Sequence, residues 1–148
     1  MTAREYLESY KIMQTRINVL TAEIERLRAE AESMSISLDG MPKGQGTQDK
    51  TARLAVQLAE CETVLQSEMS GLWSRRMRII EELGMLKSHK HQKLLHLRYI
   101  DCKSWELIAV EMDITWRHCY RLHGSALAEF EKVMQKQKGT KDGEEAEQ

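Results

Sequence analysis

Between Tyr6 and Leu38 the apolar residues Tyr6, Tyr10, Met13, Ile17, Leu20, Ile24, Leu27, Ala31, Met34 and Leu38 follow one another in alternating steps of four and three. That interval keeps a narrow stripe on one side of an α-helix. Charged residues such as Glu23, Arg26, Arg28 and Glu30 occupy the other faces, so the stripe must be covered by a second helix. The pattern stops at DGMPKGQGTQ, residues 39–48, where three glycines and the only proline end the helix and allow the chain to reverse. A second series then runs through Leu54, Leu58, Cys61 and Leu65 and, after a change of register, Met69, Leu72, Ile79, Leu83 and Leu86. Two helices of roughly 50 Å joined by a short linker suit an antiparallel hairpin. Pairing with the same helix of a second subunit would cover the stripe equally well, so a homodimer through the coiled coil stays open. Trp73, Ile79 and Ile80 are expected in the core rather than at such an interface.

The chain has 148 residues, room for one or two small domains, and its 30% charged and 5% aromatic content suits long amphipathic helices. It holds neither a secretory signal nor an apolar run able to span a bilayer, so a soluble protein in the cytoplasm, without membrane contact, is expected. Cys61, Cys102 and Cys119 are widely spaced and form no CxxC pair, which indicates reduced thiols and neither a disulfide framework nor zinc.

A different arrangement occupies SWELIAVEMDITWRHCYRLHGSALAEF, from Ser104 to Phe130. Ser104 is placed to cap a helix ending near Met112, with Glu106 in its first turn. Ile108 and Met112 face inward, and Ala109 is small where a second helix must approach closely. Asp113 takes the tight turn, Ile114 plugs the angle, and Thr115 caps the next helix, whose buried stripe is Cys119, Leu122, Ala126 and Phe130. Aspartate tolerates the left-handed backbone that such a turn usually gives to glycine. The spacing is that of a helix-turn-helix. The exposed face of its second helix, with Trp116, Arg117, His118, Tyr120 and Arg121, lies in a stretch without any acid from Ile114 to Ala128. Arg117 and His118 in the first turn oppose the helix dipole, an arrangement that a phosphate or a guanine edge would favour.

The longer string from Leu94 to Phe130 resembles region 4 of sigma-70-type factors, through Leu97, Arg98 and Tyr99 before the motif and Ala126 and Leu127 at its close. With the YRLHG string and the N-terminal half, the chain is similar to phage and prophage proteins of this kind, such as the ArpU- and RinA-type regulators of phage late genes. The resemblance implies an all-α regulator that reads double-stranded DNA with the second helix of the motif in the major groove, in a bacterial host cell, with RNA polymerase as a further partner.

The expected organisation is a coiled-coil helical hairpin over 1–86, a helix-turn-helix domain over 87–134 and a disordered tail over 135–148. The expected DNA contacts are Thr115, Trp116, Arg117, His118, Tyr120 and Arg121, with Lys87, Lys90, Lys93 and Ser104 touching phosphates. His89 and His91 could assist, while His118 and His123 are read as surface or groove residues. Seven Lys or Arg against four Asp or Glu between 87 and 128 leave a net charge of only +3, so a lone module should bind weakly and need a second copy or a tether to polymerase. No cofactor, metal or catalytic constellation is indicated, since Cys119 beside His118 falls on the buried stripe. Two alternatives share these features: a small terminase-like packaging protein, and an interaction protein that binds polymerase without touching DNA.

Overall fold

The computed structural model describes the backbone of residues 1–38 and 45–146 and the side chains of 1–34 and 49–146. The fold is all-α, with no strand among the described residues. Helices α1 (Ala3–Leu38) and α2 (Gln45–Gly84) are followed by the shorter α3 (His89–Leu95), which passes into a π-helical turn over His96–Ile100. Helices α4 (Trp105–Met112) and α5 (Trp116–Ala146) complete the chain. The linker expected at 39–48 falls partly outside the described residues, and α2 already begins at Gln45.

The chain divides into two compact units, residues 13–72 and residues 1–12 with 73–148. In the first, α1 and α2 run antiparallel: Arg28 pairs with Glu62 at 2.8 Å, and Arg16, earlier in α1, pairs with Glu68, later in α2, at 3.5 Å. Ile24, Leu27 and Leu54 are buried. Met13, Ile17, Leu20, Leu58, Cys61 and Leu65 are half-buried, as expected when a single stripe faces a single partner helix. Met69, assigned to the seam from its spacing, is exposed, whereas Leu72, three residues on, is half-buried.

The second unit extends across the expected boundary at 86/87. The first turns of α1 and the last turns of α2 belong to the C-terminal domain rather than to the hairpin. Tyr6 stacks on Phe130 of α5 with ring centroids 6.1 Å apart, and the Ala3 N–H donates to the Glu131 carboxylate at 2.6 Å. From α2, the Arg75 guanidinium lies 5.1 Å over the Tyr6 ring, and Arg76 donates to the Tyr10 hydroxyl at 3.3 Å. Tyr10, Leu7, Ile79, Leu94, Leu95, Ile100, Ile108, Cys119 and Phe130 are fully buried here. The reason is area: α3 and α4 are too short to enclose Phe130 and the leucines of α3 without the hairpin's ends. Burial, and then the adjacent Glu82 carboxylate, push the Tyr6 hydroxyl up to about 12.

Two further expectations change. Trp73 remains 64% exposed, whereas Ile79 is buried and Ile80 half-buried. The segment read as a disordered tail is helical to Ala146. It contains no proline, its lysines, glutamines and glutamates are strong helix formers, and α5 enters it already nucleated by the packed turns before Phe130.

Candidate nucleic-acid interface

Local chemistry sets both ends of α4. Ser104 accepts from the Leu107 N–H at 3.4 Å, and Asp113 ends the helix in the left-handed conformation (φ 53, ψ 50). The turn closes when the Ile114 N–H reaches back to the Ala109 carbonyl at 3.1 Å. Ala109 is buried as the close approach of α4 to α5 requires, and Thr115 caps α5 by accepting from the His118 N–H at 3.2 Å. Cys119, Ala126 and Phe130 are buried, Leu122 is half-buried, and burial raises the Cys119 thiol's pKa.

His123 is the main correction inside this region. It is buried, not on the surface or in a groove: its Nε2 lies 2.8 Å from the Tyr99 hydroxyl, and the Trp105 ring meets it edge-on at 4.8 Å. Burial, with Arg4 and Arg98 adding to it, lowers His123 from 6.5 to about 4, so it packs as a neutral ring. Trp105 joins the cluster to the exposed face. Tyr120 tilts against it at 5.3 Å, and on its other contact Arg98 lies 4.6 Å from the ring and donates to the Lys103 carbonyl at 3.1 Å. Arg98 sits in the π-helical turn, whose widening is marked by the Asp101 N–H bonding five residues back to His96 at 3.0 Å.

Thr115, Trp116, Arg117, His118, Tyr120 and Arg121 are all exposed on the first turns of α5, with Trp116 edge-on to Tyr120 at 6.3 Å. Among the described residues no carboxylate pairs with Arg117 or Arg121. Ser104 is exposed at the start of α4, and Lys87, Lys90 and Lys93 are exposed beside and along α3. His89 is also exposed, but His91 is committed elsewhere: its Nδ1 bonds the Glu129 carboxylate, which also accepts from the Lys87 N–H at 2.7 Å. The His91 contact, then the Lys87 and Ser88 N–H groups, hold the Glu129 pKa below the usual carboxylate range.

Sequence reasoning missed this pin and the Tyr99, Trp105, His123 cluster. The signals were present: Glu129 is the first acid after the acid-free stretch, and His123 lies four residues from Cys119 on the buried side. Among the described residues no three His, Cys, Asp or Glu side chains are grouped to hold a metal, and no described helix is long and apolar enough to cross a membrane. No family model, curated protein or solved structure matches the chain.

Proposed function

We propose that this chain is a sequence-specific DNA-binding regulator of transcription, of phage or prophage type, that inserts the first turns of α5 into the major groove. One observation carries the reading: Arg117 and Arg121 lie four apart on an exposed helix face, free of carboxylate partners among the described residues. Either guanidinium can pair bidentately with the N7 and O6 acceptors of a guanine or hold a phosphate, and a groove about 12 Å wide admits a helix. Trp116, His118 and Tyr120 add backbone and thymine-methyl contacts. Thr115 and Ser104, at the starts of α5 and α4, direct helix N-termini at phosphates, while Lys87, Lys90 and Lys93 add affinity without sequence preference. The sigma-like resemblance of residues 94–130 supports promoter DNA as the target and RNA polymerase as the partner that raises occupancy.

The test is selection of bound fragments from bacterial and phage genomic DNA with the full chain, repeated with Arg117→Ala/Arg121→Ala. Specific retention is expected to vanish while helicity and mass in solution stay unchanged. Unchanged retention of the same fragments by the double variant would remove this face from the mechanism. Assembly into a closed ring of many copies would favour DNA packaging over transcription.

A further inference from the structure

Helix α4 leaves an apolar face in solvent that the fold does not use. Val110 is 78% exposed and Leu107 55%, one turn apart, although Ile108 and Ala109 between them are buried. A solvent-open groove of about 640 Å³ is lined by Val110, Ile114 and Trp116, with Glu106, Asp113 and Thr115 as its polar residues, and Leu107 stands outside this lining. A site so open encloses no small molecule but accepts the edge of a helix.

Its charge is opposite to that of α5. Of the four acids between 87 and 128, Asp101 faces His96 at 3.3 Å and Glu111 pairs with Lys103. Glu106 and Asp113 both line the groove, and no cation pairs with either among the described residues. On its α4 side the groove carries two uncompensated carboxylates that repel phosphate there, while Thr115 and Trp116 form the α5 edge that the DNA reading uses. The α4 side suits apolar side chains carried on a basic segment.

We propose that the α4 face docks a short amphipathic helix of a partner protein, one with leucine-sized side chains at i, i+3 or i+4 spacing flanked by Lys or Arg. The apolar side chains pack on Leu107 and Val110, and the cations meet Glu106 and Asp113. Eight residues of α4 offer about 12 Å, enough for about two turns of the partner. The proposal goes beyond DNA reading and does not rest on it.

The experiment titrates the ¹⁵N-labelled full chain with a helical Leu/Lys peptide of this pattern and with its Leu/Glu counterpart. Amide shifts from the Leu/Lys peptide are expected to centre on residues 105–116. Leu107→Ser/Val110→Ser, at exposed positions that leave the core intact, should weaken binding by at least about tenfold. Glu106→Gln/Asp113→Asn should weaken it about threefold and flatten its salt dependence, since asparagine also accepts the left-handed backbone at 113. Arg117→Ala/Arg121→Ala should bind the peptide unchanged even where DNA binding is lost, which separates this proposal from the DNA reading. The proposal is overturned by equal binding of the Leu/Glu peptide, by shifts centred elsewhere, by the absence of shifts, or by Leu107→Ser/Val110→Ser binding like the parent. Concentration-dependent shifts at Val110 without any peptide would assign the face to a second copy of the chain and equally overturn it.

Discussion

Residues 13–72 and the unit formed by 1–12 with 73–148 are both helical, yet they are held together in different ways. The hairpin unit buries a narrow seam, with Ile24, Leu27 and Leu54 its only buried apolar residues among those described, and closes its sides with exposed ion pairs. The other unit packs five helical segments around Phe130, Ile79 and the α3 leucines, and it holds a buried imidazole and a buried carboxylate within the same interior. A seam specifies that helices associate. A core with aromatic rings and polar pairs also specifies which segments meet, because few alternatives satisfy Tyr99, His123 and Trp105 together.

Removing residues 1–12 breaks this contrast most directly. It takes away Tyr6, Leu7 and Tyr10 and leaves the Glu131 carboxylate without the Ala3 N–H, so cooperative unfolding of the C-terminal unit in urea is expected to disappear. A fragment starting at Met13 that kept the parent's unfolding midpoint would restore the boundary read from the sequence.

Paired truncations sharpen the comparison. Phe130→Ala is expected to cost about 3–5 kcal/mol by denaturant titration and Ile24→Ala about 2 kcal/mol, because a seam relaxes around a cavity more easily than an enclosed core. Equal losses would mean that the hairpin is packed as tightly as the domain.

The largest single pH response should come from His123, in the unit formed by 1–12 with 73–148. His123 titrates at about 4 when folded and near 6.5 when unfolded, so the unfolded chain binds the extra proton between those values. Its contribution is fully present above pH 6.5 and falls as the pH drops towards 4, by about 3 kcal/mol in all. His123→Phe should flatten that slope in a pH series of urea midpoints, whereas a slope that survives unchanged places the titration in another group. The smallest effect belongs to the hairpin's rim: Arg28→Ala should change stability by less than about 1 kcal/mol, and less still in high salt.

What was legible in the sequence was what neighbouring residues decide among themselves. Ser104, Asp113 and Thr115 stand where their chemistry requires, since a cap or a left-handed turn is formed within four residues. The exposed positions of Arg117 and Arg121 followed from the same short-range periodicity. His123 was misread because a histidine on an apolar stripe counts as polar until its partner is known, and Tyr99 lies 24 residues away. Glu129 was overlooked for the same reason, with His91 38 residues distant.

The sequence by itself determined an all-α chain, the stripe that forces α1 onto a partner and the capped turn that presents the first face of α5. Tertiary structure decided that the hairpin's ends complete the C-terminal core, that His123 is buried and neutral, and that Leu107 and Val110 stay in solvent. Periodicity says which side of a helix is apolar; only packing says which apolar sides find cover, because burial is shared among segments far apart in the chain.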